Sequence, residues 1–562
     1  MTNAIFFLLI FLLKFSIALL FSSDYQLELF LPFLTNGIQN FPCDPWKLAF
    51  ENGKIDAFPY HPLLWYLLTL FQLIPTFWDL PSVFQRIFLV LPNFLADLLI
   101  LKLLESIFPN RKKAILGVYF FSPVILYAVY AHGQLDLLPT AFLFLSVYLL
   151  LQRHYSYSGV SFSLALSMKL HVLAVLPLFL FFIYRKSTQK IISFILPLIL
   201  TFSFISLPWY FSPYFREMVL LNPKQDLLFE SIYKIGDYKL LLPFFACFLV
   251  YLKFFSYPKV NLDLFLTWLA ILFSVFVLTI PPAPGWYIWT LPFLTYFYLK
   301  FLRKRKHILY LAGIFHLSYL LFFLFSWKGD YTSLRFLGQE IFLQFTNEKL
   351  NGLLFTGLCA SLAANLYAVY QLGVRSNLIY YKSSGILIGI GGDSGSGKST
   401  LLHSLQRLLE PSVTLLEGDG DHRWERGHEN YQKFTHLNPR ANYLERQAEN
   451  LYLLKKGEII YRPDYDHSTG KFTEPKPIYP SDYIIISGLH TFYLPKMRKV
   501  IDIKLFVDTE EKLRKHWKIL RDIKKRGYTK EKILKQIEEL DSPHKCNFLA
   551  GSPKDFVRSF KT

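Results

Sequence analysis

The stretch Gly385-Ile386-Leu387-Ile388-Gly389-Ile390 followed by Gly392-Asp393-Ser394-Gly395-Ser396-Gly397-Lys398-Ser399-Thr400 decides the fold of the C-terminal third of this 562-residue chain. The first six residues read as a buried strand, the glycine run as G-x-x-x-x-G-K-S, and Leu401–Leu409 as the helix behind it. Placement matters more than pattern here. Glycines let backbone amides close around phosphate oxygens, and the helix N-terminus favours the same negative charge. Lys398 is expected to reach the β and γ phosphates of ATP, and Ser399 to ligate Mg²⁺. Gly392, Asp393, Ser394, Gly395, Ser396, Gly397, Lys398, Ser399 and Thr400 are therefore the expected ATP-binding set.

Downstream, Val413–Glu417 reads as a second strand, ending in Gly418-Asp419-Gly420-Asp421-His422-Arg423-Trp424-Glu425-Arg426. Acids at the carboxyl end of a strand beside the phosphate-loop strand are expected to point into the ligand crevice. Then come Thr435–Asn442, Tyr465-Asp466-His467-Ser468-Thr469-Gly470, and a strand Tyr483–Ser487 leading to Gly488-Leu489-His490. From about Gly385 to Leu540 these ordered motifs resemble the phosphoribulokinase/uridine kinase family. The match is closer on the phosphoribulokinase side, through the Gly-Asp-x-x-His-Arg block and Gly488-Leu489-His490.

The resemblance implies transfer of the ATP γ-phosphoryl group to a hydroxyl of a pentose, pentose phosphate or nucleoside. It implies Asp419 as catalytic base, with His422, Arg423, Arg426 and His467 lining the acceptor pocket. Arg521-Asp522 and Lys525-Arg526-Gly527-Tyr528 look like the lid helix, so Arg521 and Arg526 join Lys398 and Asp419 as expected catalytic residues. Ser399 and Asp419 are the expected metal ligands. Ser487 stands where phosphoribulokinases usually carry Glu, so Asp419 or Asp421 would have to hold more of the metal. The family continues past the lid with further structure, whereas Asp541–Thr562 does not align, and a shortened C-terminus is expected.

Upstream the composition is different. Hydrophobic residues make up 53% of the chain, with 56 Phe and 35 Tyr. Apolar runs continue to about Tyr370, and the boundary falls near Arg375–Ser384, giving a polytopic membrane domain over 1–375 and an α/β kinase domain with a central parallel sheet over 383–562. The net charge of +19 gathers at the ends of apolar runs, as the positive-inside bias and anionic lipids require, so no nucleic-acid partner is expected. The four cysteines form no CxxC or Cys/His cluster, arguing against zinc or a disulfide framework. Ile5–Leu20 lacks a basic n-region and reads as a retained first span rather than a signal peptide.

A kinase needs cytosolic ATP, so the last span, Leu353–Tyr370, should end inside. Reading backwards, Arg303–Lys306, Lys253 with Lys259, Arg185–Lys190, Arg153 and Arg111–Lys113 then all fall inside. This holds only if Leu63–Ile74 and Val160–Tyr184 do not each cross once, so both are expected to be interfacial or re-entrant. The expected location is a bacterial inner membrane, multi-pass, with the kinase domain cytoplasmic.

Asp24 and Asp44 lie in the first outer loop. Asp97 and Lys169 sit at membrane depth, where a charge faces a bundle interior or an aqueous cavity, and could form a structural pair. Gln134 and Asp136 could cap the helix that follows them. The order of first span, acidic outer loop, His61-Pro62-Leu63-Leu64, the Asp97 span, Ser122-Pro123-Val124, Gly133-Gln134-Leu135-Asp136 and Lys169 resembles the GT-C type integral-membrane glycosyltransferases over roughly 300 residues. That resemblance implies transfer of a sugar from a lipid-phosphate donor, such as a polyprenyl-phosphate sugar, at the outer face. It implies Asp24 or Asp44 as base or metal ligand. Transport by the membrane half, or a degenerate kinase half that senses ATP, are the rival readings.

Overall fold

In the computed structural model the chain divides into two compact units, Met1–Leu378 and Ile379–Thr562. The described residues are 3–185, 187–302, 307–329, 331–341, 343–374, 385–410, 412–430, 434, 438–466, 469–526, 531 and 534, and the side chains of 225, 419, 518, 521, 522 and 524–526 fall outside them. The expected roles of Asp419, Arg521, Arg526 and His467 thus rest on side chains outside the described set.

Among the described residues of the first unit, six helices are long and apolar enough to cross a membrane: Asn3–Leu20, Ser82–Ile107, Gln189–Tyr210, Leu262–Thr279, His307–Phe325 and Glu348–Gly373. A bent pair, Pro109–Phe120 and Pro123–Ala131, is together long and apolar enough for one more span or a re-entrant loop, with a 43° bend where Pro123 starts a new helix. Pro62–Phe77, Leu137–Leu151 and Leu242–Phe255 are apolar but shorter.

The two segments that fit no simple crossing turn out to be bonded to each other. Val160–Tyr184 is not one helix. Helix Tyr155–Leu166 stops, and a 3₁₀ turn Leu170–Val175 leads into Leu176–Tyr184. The carbonyls freed at the break are taken by the start of the Pro62–Phe77 helix: His61 N–H donates to Met168 O (3.2 Å) and Leu63 N–H to Ser167 O (3.1 Å). Irregular backbone at this depth survives because protein, not lipid, satisfies it.

The second unit carries a four-stranded, all-parallel sheet in the order Ile503–Val507, Ile386–Gly392, Tyr483–Ser487, Val413–Glu417. Period-2 alternation explains its two-sided burial. Ile386, Ile388, Ile390 and Ile485 meet Leu402 of helix Lys398–Leu409 on one face. Leu387, Leu416, Ile484 and Ile486 meet Ala448, Leu451 and Leu454 of helix Leu444–Lys456 on the other. One expectation is corrected. Val413–Glu417 does not lie beside the phosphate-loop strand, because Tyr483–Ser487, much later in sequence, pairs between them, with Ser487 aligned to Ile390 on one side and Glu417 on the other. The carboxyl ends still line one sheet edge, where ligands of open parallel sheets sit.

Candidate functional sites

The phosphate loop is shaped by its glycines. At Gly397 (φ +91°) the chain turns into the helix in a conformation that L side chains rarely adopt. A Cβ on Gly392 would sit 2.6 Å from Val507 O, so the neighbouring strand requires glycine there. Lys398 Nζ donates back to Asp393 O at 2.6 Å, which closes the loop on itself. Ser396 Oγ is buried with no hydrogen-bond partner among the described residues. Ser399 and Thr400 are exposed in the first helical turn.

Helix Glu511–Arg526 is tied to this loop by residues the motifs did not point to. Arg514 Nη1 meets Asp393 Oδ2 at 2.8 Å, Thr509 Oγ1 donates to Ser396 O at 2.9 Å, and the Trp517 ring lies 3.7 Å from where a Gly397 Cβ would be. The backbone that carries Arg521 and Arg526 therefore starts at the phosphate loop. The hint available in sequence was only the 3.6-residue spacing of Arg514, Trp517 and Arg521.

Across the sheet edge, the 3₁₀ turn Gly418–Asp421 carries the Asp419 backbone. Strand ends approach closely here, since a Gly418 Cβ would meet Gly488 Cα at 3.2 Å. Asp421 is fully buried and held by Arg446 Nη2 (3.2 Å), Arg462 Nη2 (3.2 Å) and Gln447 Nε2 (3.0 Å). Its expected alternative role as a metal ligand is corrected: both oxygens are already engaged by cationic or amide donors, and it braces the turn instead. Arg462 also donates to Glu417 O at 2.7 Å, welding the turn to the strand before it.

His422 Nδ1 lies 2.8 Å from Asn442 Oδ1, and its ring packs edge-on to Tyr465. Gly418, His422, Asn442, Gln447, Gly488 and His490 line a narrow cleft here. Arg423 and Arg446 both stack on the Tyr443 ring, at 4.9 and 4.6 Å. Arg426 is exposed, its N–H bonded to Gly470 O at 2.8 Å and its side chain packed on Gly470. Ser487 is 8% exposed at its strand end. The phosphate-loop residues form one group, and His422 with Gly418–Asp421 a second at the same sheet edge. Among the described residues no three His, Cys, Asp or Glu side chains form a metal cluster.

In the membrane unit Gln134, Asp136 and Lys169 come together. Lys169 Nζ pairs with Asp136 Oδ1 at 2.5 Å, and Trp289 Nε1 donates to the same oxygen at 2.7 Å. Asp136 Oδ2 is buried without a partner among the described residues and faces Gly285, whose Cβ would lie 2.2 Å from it. Lys169, 20% exposed, sits 5.3 Å from the Tyr60 ring and 5.2 Å from that of Trp289. Burial first, then the charge of Asp136, holds the Tyr60 hydroxyl well above its usual pKa. His132 Nδ1 and Gln134 Nε2 are 3.0 Å apart, and burial pushes His132 down to about 4.

Two expectations change here, and the partners of Asp44 and Asp24 become visible. Asp136 makes no side-chain cap on Leu137–Leu151, because Lys169 and Trp289 take its carboxylate. Lys169 does not pair with Asp97; that carboxylate binds Lys14 Nζ at 2.5 Å and accepts from Tyr130 OH at 2.7 Å, all inside the bundle. Asp44 caps the short helix Pro45–Glu51 through Trp46 N–H (2.9 Å) and accepts from Ser212 Oγ (2.5 Å). Asp24 instead binds Arg335 (2.9 Å), and its neighbour Tyr25 packs on His132, 5.5 Å between rings. Tyr60, His132, Trp289 and Arg335 were not singled out in sequence, as each is an ordinary aromatic or loop residue until the chain folds.

The family model described as Phosphoribulokinase / Uridine kinase family matches residues 387–552. Phosphoribulokinase of Synechocystis sp. is 38% identical over 153 residues, 27% of this chain and 46% of the relative. The chain thus spans about half the length of such phosphoribulokinases or less. Uridine kinase of Clostridium novyi is 32% identical over 176 residues, 30% of this chain and 83% of that protein. Among solved structures, ArnT from Cupriavidus metallidurans bound to undecaprenyl phosphate aligns over 84% of this chain and 97% of its own, with TM-score 0.38 and 11% identity. With most of a uridine kinase's length reproduced in its second unit, the chain belongs to the phosphoribulokinase/uridine kinase family.

Proposed function

We propose that the second unit transfers the γ-phosphoryl group of ATP to a hydroxyl of a pentose, pentose phosphate or nucleoside. The observation that carries this reading is the glycine cradle with Lys398 on the central parallel strand, one sheet position from the Ser487–Gly488 end and two from the Asp419 turn. Lys398 Nζ bonds Asp393 O, and γ-phosphate oxygens are a stronger acceptor for its ammonium. The unpartnered Ser396 hydroxyl and the exposed Ser399 hydroxyl beside Lys398 fit a phosphate-bound Mg²⁺, with Ser399 and Asp419 as its protein ligands. Mg²⁺, when bound, supplies charge neutralisation on the transferring phosphates. Asp419 accepts the proton of the attacking hydroxyl, and His422, Arg423, Arg426 and His467 orient the acceptor. Arg521 and Arg526 neutralise developing charge from the lid helix.

The membrane unit acts in this proposal as a glycosyltransferase using a polyprenyl-phosphate sugar, in a multi-pass protein of a bacterial inner membrane. Supporting it is the half-satisfied Asp136 carboxylate paired with the partly exposed Lys169: a base and a cation side by side. Helix Glu348–Gly373, which leads to the kinase unit, ends near the start of Leu262–Thr279, with Gly373 against Thr267. Lys253 and Lys259 precede that start in the sequence and Lys300 reaches it through Asp263, so in this reading the tether leaves on the cytoplasmic side.

The deciding experiment uses the full chain in detergent with γ-labelled ATP against ribulose 5-phosphate, uridine and cytidine, with Asp419→Asn as control. Transfer that vanishes in the variant is expected; ATP bound tightly without turnover would replace this reading with nucleotide sensing, which Ser487 in place of a carboxylate favours.

A further inference from the structure

Between helices Gln189–Tyr210 and Leu242–Phe255 the chain forms a two-stranded antiparallel hairpin, Ile232–Ile235 with Tyr238–Leu241. Gly236 (φ +60°) opens its two-residue turn. Tyr233 stands opposite Leu240, Ile235 opposite Tyr238, and Lys234 opposite Lys239. Strand alternation therefore puts Tyr233, Ile235 and Tyr238 on one face and both lysines on the other. All five side chains are exposed, Tyr238 by 82%. The hairpin is nonetheless fixed at its base, where Leu242 N–H donates to Ser231 O (3.0 Å) and the Phe229 ring packs on Phe244 at 5.4 Å. A lone two-stranded hairpin is marginal in water, and two lysines directly opposite repel. Acyl carbon against the aromatic face and phosphate against the lysines would remove both costs.

We infer that this hairpin is an interfacial anchor, lying in the headgroup boundary of the outer leaflet with Tyr233, Ile235 and Tyr238 on the acyl chains and Lys234 and Lys239 on phospholipid phosphates. The inference rests on the reading of the first unit as bilayer-spanning. Side follows from charge: Lys190 lies at the far end of one flanking helix and Lys253 at the far end of the other, so the hairpin is on the side opposite both. Depth follows from length. Leu242–Phe255 has 14 residues, so it is about 21 Å long against a hydrocarbon core of about 30 Å. With Lys253 at the inner surface, its start stops inside the outer leaflet, and the hairpin begins at the boundary rather than in water. Continuity points to the same occupant. Phe244, Phe245, Phe248 and Leu249 are exposed along the helix that the hairpin runs into, so one apolar surface passes from helix to hairpin. Tyrosine on the apolar side and lysine on the polar side is the chemistry that this boundary selects.

The test places a spin label at Tyr238→Cys or Lys239→Cys in the full chain, its four native cysteines replaced by alanine, in phospholipid nanodiscs. A label at Phe248→Cys serves as the lipid-facing control. Collision with oxygen, which dissolves in acyl chains, is compared with collision with a water-soluble nickel chelate. The oxygen-to-nickel ratio is expected to be severalfold higher at 238 than at 239, and to approach that at 248. Nickel-dominated collision at both 238 and 239, with 248 still in lipid, overturns the inference alone and puts the hairpin in water. Shielding of 238 from both reagents also overturns it, in favour of a protein face such as a second copy of the chain. Nickel-dominated collision at 248 overturns the bilayer-spanning reading as well. If the cysteine-free chain fails to fold, Tyr238→benzoylphenylalanine in the otherwise native chain decides: phospholipid adducts on irradiation are expected, and their absence overturns the inference.

Discussion

Lys398 and Asp421 represent two ways in which a charge can matter. In the proposed reaction Lys398 stabilises charge that develops only during transfer, so Lys398→Met is expected to slow ADP release by about 10²–10³-fold at saturating ATP. Asp421 is buried against two arginines, one of them, Arg462, only 5% exposed. Asp421→Ala strands that guanidinium, and the expected loss is about 3–5 kcal/mol in unfolding free energy of the kinase unit, read from the urea midpoint of ATP binding. His132 gives a third residue-level expectation. Its neutral form is favoured in the fold, with the pKa lowered from 6.5 to about 4. The unfolded chain takes up its proton near pH 6.5 and the folded protein only near 4, so this part of stability declines as pH falls through that window and then levels. His132→Asn should flatten the Tm-versus-pH curve there. The place of Lys398 was readable in advance, from strand, glycines and helix in series, but the neighbourhood of Asp421 was not, since Arg446, Arg462 and Gln447 reach it from 25 residues or more along the chain.

Elements show where sequence pattern succeeds and where it stops. The phosphate-loop strand was legible because Ile386, Ile388 and Ile390 alternate with residues facing the other way, and both faces are buried. The same strand carries Gly389 and Gly391. In the fold they make room for Phe492: a Cβ on Gly391 would stand 2.6 Å from its ring. Gly391→Ala should therefore destabilise the kinase unit by about 1–3 kcal/mol, and Phe492→Leu in the same chain should recover part of it, as measured by thermal melts of ATP binding. Strand order was not legible, because pairing is chosen by crossovers of segments not yet synthesised when the first two strands are complete. A helix carrying Arg521 and Arg526 was expected from its motif, but its tie to the phosphate loop, Arg514 on Asp393, depends on a contact 121 residues apart.

At the scale of the whole molecule, composition separated a membrane half from a nucleotide-binding half, since bilayer-length apolar runs and short amphipathic elements obey different solvents. What it could not assign was pairing of buried charges. Lys14 and Asp97 lie 83 residues apart and are both fully buried. Lys14→Met alone should destabilise the detergent-solubilised protein by about 3–5 kcal/mol, whereas Lys14→Met with Asp97→Asn should restore most of it, because the damage comes from the stranded carboxylate rather than from the lost attraction. The same reasoning explains why Val160–Tyr184 resisted assignment: its break is stable only through amides at His61 and Leu63. That splice also imposes a schedule on biogenesis. Translation at about 5–20 residues per second brings the Ser167 and Met168 carbonyls out of the ribosome roughly 5–20 s after those amides. Until then the earlier piece has no mate, so it must wait beside the translocon, sheltered from acyl chains, as an unfinished half.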